Sequence, residues 1–186
     1  MNGSDFLGRI VAALDRAGIA HMVAGSFASA HHGVPRATQD IDLVIDPTAV
    51  TLGAFLASLP PDAYYVSEDA ARDALRRRGM FNVIDMASGW KADLVVRKAR
   101  PFSVTEFARR TPTRMLDVDV FIATPEDTIL AKLEWAAESA SERQLRDVAG
   151  VVSVRRGELD EAYIEHWAAE LGVLAAWRKV RAASGP

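Results

Sequence analysis

The strand signal stops at residue 124. Up to that point short β-forming runs alternate with helical segments; from Pro125 onward only helical periodicity is visible. This predicts an α/β part over residues 1–124 and a C-terminal helical part over 125–186. A chain of 186 residues suits one domain, or one domain plus a small helical appendage. With 49% apolar and 25% charged residues it is neither a disordered chain nor a coiled coil. It has no cysteine, which excludes disulfides, thiolate metal sites and a Cys nucleophile. Its 22 Lys+Arg against 25 Asp+Glu argue against a globally basic nucleic-acid binder. No apolar run approaches the ~18–20 residues of a membrane span, and residues 1–10 lack the apolar core of a secretory signal. The expectation is a cytoplasmic protein without a membrane partner.

Within the first part, apolar spacing predicts a helix over 4–18, capped by Ser4, and a buried strand over 19–24. Gly25-Ser26 breaks it before a short helix over 27–32 closed by Gly33. After a loop over 34–39 comes a strand over 40–45, then helices over 48–59 and 69–78, the latter ended by Gly79. A hairpin is predicted from 81–85 and 90–96 around Ser88-Gly89, then a helix over 101–109 and one or two strands over 114–123 broken near Asp117. Helices are expected over 126–140, about 141–155 and 158–180. Thr124 suits an N-cap, with Pro125 first in the helix and Asp127 third. Ser184-Gly185-Pro186 reads as a frayed tail.

Chemistry concentrates in Gly25-Ser26 and in Arg36-Ala37-Thr38-Gln39-Asp40-Ile41-Asp42-Leu43. In a strand, residues i and i+2 share a face at roughly 6–7 Å, so Asp40 and Asp42 project together while Ile41 and Leu43 enter the core. Two carboxylates side by side repel, and a hard divalent cation such as Mg²⁺ or Mn²⁺ relieves them. At the strand-to-helix turn, the backbone N–H groups of Gly25-Ser26 and the Ser26 hydroxyl are suited to phosphate. Asp93, flanked by Ala92 and Leu94, adds a third carboxylate if its strand pairs near that of Asp40. Three carboxylates around a phosphate-holding turn are the parts of two-metal phosphoryl transfer.

Gly-Ser, then Arg-x-Thr-x-Asp-Ile-Asp-Leu, then a later strand Asp resembles the nucleotidyltransferase superfamily of DNA polymerase β. The Arg-x-Thr-x-Asp-Ile-Asp form is similar to the AbiEii-type toxin nucleotidyltransferases and related small bacterial proteins. Thr124-Pro125-Glu126-Asp127, then Lys132-Leu133, then Arg143 and Arg146-Asp147 resemble that group's helical stretch. The resemblance covers residues 19–45, 81–96 and 124–150. It implies an α/β nucleotidyltransferase core with a small mixed sheet plus a C-terminal bundle of about four helices, and a cleft between sheet and bundle. Asp40, Asp42 and Asp93 would match the metal carboxylates, Ser26 a triphosphate-binding serine and Lys132 a phosphate-contacting lysine. Asp147 would match a carboxylate that orients substrate or that lysine. The implied reaction moves a nucleoside monophosphate from an NTP to an acceptor hydroxyl, releasing pyrophosphate, with Mg²⁺ or Mn²⁺ at a two-metal site. The acceptor is a tRNA, a protein or a small molecule such as an aminoglycoside, and a toxin role would bring a cognate antitoxin. The alternative is a catalytically silent member acting as a regulatory or antitoxin-like binding module.

Each residue also has a plainer reading. Asp93 has Lys91 or a nearby Arg as a partner. Lys132 sits on the flank of an apolar face, where surface lysines snorkel, and Asp147 lies off the stripe of Leu145, Val148 and Val152. Arg36, with Thr38 beside it, either supports the carboxylates or bridges Asp40 or a helix end. His31 and His32 have no His or Glu at i+4, against a zinc site. Arg76-Arg77-Arg78 reads as a solvated helix end, Arg100, Arg109, Arg110 and Arg114 as a looser cluster open to a polyanion, and Trp135, Trp167 and Trp177 as core or interface packing.

Overall fold

A computed structural model describes residues 3–183; the tail at Ser184-Gly185-Pro186 lies outside them. The chain forms two compact units, residues 1–24 with 38–122 and residues 25–37 with 123–186.

The first unit is a seven-stranded mixed sheet with four helices. Its strands are β1 (Ala20–Val23), β2 (Asp40–Asp46), β3 (Tyr64–Val66), β4 (Met80–Asp85), β5 (Lys91–Val96), β6 (Thr111–Met115) and β7 (Val118–Ile122), in the order β3-β4-β5-β2-β1-β7-β6. The β2–β5 and β1–β7 pairs are parallel and the others antiparallel. Alternation in β2 buries Ile41, Leu43 and Ile45 and leaves Asp40 exposed and Asp42 half-buried. A one-residue slip would reverse both sets, so burial of the apolar face fixes which way the carboxylates point. Helix α1 (Gly3–Arg16) supplies Phe6, Leu7, Ile10 and Leu14, all within 1% of full burial. Each such side chain contributes roughly 1.5–3 kcal/mol. Ser4 lies inside α1 and donates to the Leu116 carbonyl at 2.6 Å rather than capping it.

Helix α2 (Gly25–His32) belongs to the second unit. Helix α3 (Ala49–Ala57) of the first unit starts from a capping box of Thr48 and Thr51. Helix α4 (Glu68–Arg77) starts from Ser67, and Arg78, at φ 51°, takes the left-handed position expected for Gly79. Helix α5 (Pro101–Arg109) has the predicted bounds. The run over 114–123 is a hairpin: Leu116 and Asp117, both at positive φ, make the turn from β6 to β7.

The second unit gathers α2 with α6 (Pro125–Ser139), α7 (Glu142–Val154), α8 (Glu161–Glu170) and α9 (Leu174–Ala183). Division in sequence order at residue 124 leaves residues 25–37 with the sheet; in the structure α2 packs on α6 and α7. The approach is possible because residue 33 has no side chain. A Cβ on Gly33 would meet the backbone of Val151 and Gly150 at 2.7 and 2.8 Å. Gly33→Ala is therefore expected to destabilise the protein by about 1–3 kcal/mol. Urea denaturation checks this, and an unchanged midpoint would mean that α2 does not seat on α7 as described.

Thr124 caps α6 as predicted, accepting from the Asp127 N–H and donating to its carboxylate at 2.8 Å. Asp127 is fully buried and also accepts from the Tyr163 hydroxyl at 2.6 Å. The helix expected over 158–180 is two helices, because Gly172 turns the chain at φ 72°. Trp177 is buried at 1% exposure, whereas Trp135, at 54%, is on the surface and not in the core. Among the described residues no helix is long and apolar enough to cross a membrane.

Candidate active site

In the sheet unit, β5 lies directly beside β2, with Asp42 opposite Asp93 and Asp40 opposite Lys91. On the other side of β5, Asn82 of β4 lies opposite Asp93. Register partners point to the same side of a sheet, so Asn82, Asp93 and Asp42 form a polar row across three strands. The Lys91 ammonium is 3.0 Å from Asp93 Oδ2 and 3.6 Å from Asp40 Oδ1. The Asp93 hydrogen bond, reinforced by the charges of Asp93 and Asp40, outweighs burial and raises the Lys91 pKa. Asp93 is buried, and its Oδ1 has no hydrogen-bond partner.

The three carboxylates thus share a face without closing into a ready-made cage. Among the described residues no three of His, Asp and Glu are gathered closely enough to hold a metal ion, and Lys91 bridges two of the candidates. The chemistry of the donor set nevertheless fits a hard divalent cation. It is all carboxylate oxygen, one buried oxygen lacks a partner, and a cationic group already lies among them. Thr38 does not reach the carboxylates. Its hydroxyl accepts from the Asp40 N–H at 3.3 Å and shapes the entry to β2.

In the helical unit, α2 begins at Gly25, whose φ of 56° favours glycine. Ser26, the next residue, is buried in the first turn of the helix. Its hydroxyl accepts from Arg36 Nη2. Arg36 also donates from Nε to Asp147 Oδ1 at 3.1 Å, so it serves Ser26 and α7 rather than Asp40. Lys132, expected on a flank, is 5% exposed, and its ammonium is 2.7 Å from Asp147 Oδ2. The Ser29 hydroxyl stands 3.1 Å from the Ser26 carbonyl and 3.5 Å from Asp147. Burial alone would raise the Asp147 pKa. Hydrogen bonds and charge from Lys132 and Arg36 outweigh it and hold the carboxyl below its ordinary range. Two cationic side chains converge on one carboxylate beside a helix N-terminus, an arrangement suited to phosphate.

Other candidates are committed elsewhere. Asp85 is buried, accepts from the Ala87 and Ser88 N–H groups at 3.0 and 2.9 Å, and pairs with Arg9. It holds the hairpin turn. His32 is buried with Nε2 donating to the Ala123 carbonyl at 2.7 Å, and burial lowers its pKa. Arg100 donates to Ser103, Arg110 stacks 4.3 Å from the Phe107 ring centre, and Arg114 is 3.7 Å from Asp117 and Asp119. These contacts involve three members of the cluster read as open to a polyanion.

Solved structures share this arrangement of strands and helices. ANT(2")-Ia in complex with adenylyl-2"-tobramycin matches with a TM-score of 0.59 over 90% of this chain and 95% of its own, at 15% identity. An antigenic nucleotidyltransferase-like protein from Paracoccidioides brasiliensis matches at 0.58 over 93% and 92%, with 16% identity. The lincosamide antibiotic adenylyltransferase LnuA, lincomycin-bound, matches at 0.56 over 83% and 98%, with 10% identity. The chain has the nucleotidyltransferase fold. No family model matches the chain, and no curated protein is significantly similar to it. Lys91 pairs with Asp93 as one sequence reading had it, but three features escaped sequence reasoning: the reach of Lys91 to Asp40, the place of Asn82, and the attachment of Arg36 to Ser26 and Asp147. The reach to Asp40 follows from the register of β2 and β5, which no local spacing shows. Nothing in the sequence marks Arg36 as a partner of a residue 111 positions away.

Proposed function

We propose that the chain is a metal-dependent nucleotidyltransferase that moves a nucleoside monophosphate from an NTP to a hydroxyl of a small-molecule acceptor. The observation that carries this reading is the register that sets Asp93 opposite Asp42, with an unpartnered carboxylate oxygen on the polar face of the sheet. Asp40, Asp42 and Asp93 hold Mg²⁺ or Mn²⁺. When bound, the cations neutralise phosphate charge and acidify the acceptor hydroxyl. Ser26 and Lys132 donate to the triphosphate, and Gly25 lets the backbone approach it. Arg36 and Asp147 position those donors: Asp147 fixes the Lys132 ammonium, and Arg36 fixes the Ser26 hydroxyl. In the transfer, the acceptor oxygen bonds to the α-phosphorus as its bond to the β-bridging oxygen breaks. Pyrophosphate leaves with the electron pair, and the acceptor proton is released. Holding the groups in line and neutralising charge supply most of the rate.

One structure with this fold holds adenylyl-2"-tobramycin and another is a lincosamide antibiotic adenylyltransferase with lincomycin bound, which supports a small molecule over tRNA or protein. The test is incubation with each NTP and Mn²⁺ in the presence of aminoglycosides, lincosamides, total tRNA or lysate protein, with products read by mass. The expected result is a small molecule heavier by one nucleotidyl group. Transfer to tRNA or protein alone would replace the acceptor class with that of a toxin. No transfer to any acceptor and no pyrophosphate release would contradict the enzyme reading and favour a silent binding module.

A further inference from the structure

Lys91 has no role in the proposed reaction, yet its ammonium stands within 4 Å of two of the candidate carboxylates. Its placement follows from the fold. It is the register partner of Asp40 and precedes Asp93 by two residues, so the parallel pairing of β2 and β5 brings one ammonium to both carboxylates. Three carboxylates on one face repel, and the sheet around them holds them in place whether or not a metal is bound. A single positive charge at 3.0 Å from Asp93 and 3.6 Å from Asp40 offsets part of that repulsion. The same charge stands against a dication entering the same oxygens.

We propose that Lys91 is a positioning residue that acts as a built-in counter-cation. It keeps the carboxylate face assembled in the metal-free protein and makes divalent-metal binding depend on the nucleotide arriving with it. This rests on the reading of Asp40, Asp42 and Asp93 as metal carboxylates. The long, flexible lysine stem lets the ammonium give way when a dication and a triphosphate enter together. The added phosphate charge then compensates for the cations. Without nucleotide, the lysine opposes the dication and no phosphate charge adds to that of the carboxylates. Asp93 Oδ1, buried and unpartnered, is the acceptor that Lys91 leaves unsatisfied and a metal would take up.

The experiment measures Mn²⁺ affinity by electron paramagnetic resonance of free Mn²⁺, with and without a non-hydrolysable NTP, and follows metal-free melting temperature. Wild type is expected to bind Mn²⁺ weakly alone and much more tightly with the nucleotide. Lys91→Gln should bind Mn²⁺ alone more tightly by on the order of tenfold, the scale of a unit charge a few ångströms from a dication in water-like surroundings. Its metal-free protein should melt lower and be restored by Mn²⁺. Lys91→Arg, which keeps the charge, should behave as wild type. Equal or weaker Mn²⁺ binding in Lys91→Gln would overturn the inference, and nucleotide transfer by wild type would still stand. If no protein binds Mn²⁺ with or without nucleotide, the metal reading itself falls, and this inference with it. If Lys91→Gln does not fold, Lys91→Met replaces it, and a wild-type Mn²⁺ affinity already independent of nucleotide overturns the inference without any variant.

Discussion

Asp93→Asn is expected to fold, to keep most of its triphosphate affinity and to lose nucleotidyl transfer by at least about 10²-fold, the common size of removing one charge-stabilising group. The amide keeps the shape of the side chain and an oxygen for Lys91. What it removes is one negative charge from the cation-binding face, which the proposed chemistry needs to acidify the acceptor hydroxyl. The loss should appear in kcat and not in the KM for the nucleotide. Steady-state kinetics on the acceptor found by the mass screen provide the check. Equal rates in both proteins would remove Asp93 from the machinery. Asp85 is a poor substitute, since its carboxylate is held by Arg9 and the hairpin turn.

Asp147→Ala should cost about 3–5 kcal/mol of folding stability, the range for removing one partner of a buried ion pair. The side chains of Lys132 and Asp147 are only 6% and 9% exposed, so the ammonium would lose its carboxylate where water gives little relief. The pH dependence has a definite sign. The folded protein holds the Asp147 pKa below its unfolded value. Its contribution is therefore present at neutral pH and is lost as the pH falls below the ordinary carboxylate range and through the folded pKa. Urea midpoints between pH 7 and pH 3 should converge for wild type and variant at the acid end. The double variant Lys132→Met/Asp147→Leu should regain much of the stability by replacing both charges with apolar volume. It should not regain triphosphate affinity, which separates the structural role of the pair from its role toward phosphate. A single variant as stable as wild type would show that the pair does not anchor α7 to α6.

Much of this architecture is legible from local chemistry. Alternation of Asp40 and Asp42 with Ile41 and Leu43 fixes both the strand and its polar face. Thr124, Pro125 and Asp127 mark the start of α6 because caps and first-turn residues act within a few positions. Less of it is legible where pairing is short or distant. Strand β3 has three residues, too few for a period, and exists because β4 offers it an edge. Helix α2 reads as part of the sheet unit because it is next to it in sequence, and only the bare surface of Gly33 permits its packing on α7. The candidate site divides in the same way. The carboxylates and Ser26 announce themselves through spacing. The partners that tune them, Lys91 across a parallel pair and Arg36 on Asp147, depend on register and on contacts far apart in the chain.

The central proposal is that Asp40, Asp42 and Asp93 are metal carboxylates and that Ser26 and Lys132 are phosphate donors. A crystal structure with Mn²⁺ and a non-hydrolysable NTP, with manganese located by its anomalous scattering, tests it most directly. The account predicts manganese within coordination distance of Asp40, Asp42 and Asp93, and phosphate oxygens within hydrogen-bond distance of the Ser26 hydroxyl and the Lys132 ammonium. Manganese bound elsewhere, or a triphosphate that touches neither Ser26 nor Lys132, would contradict it.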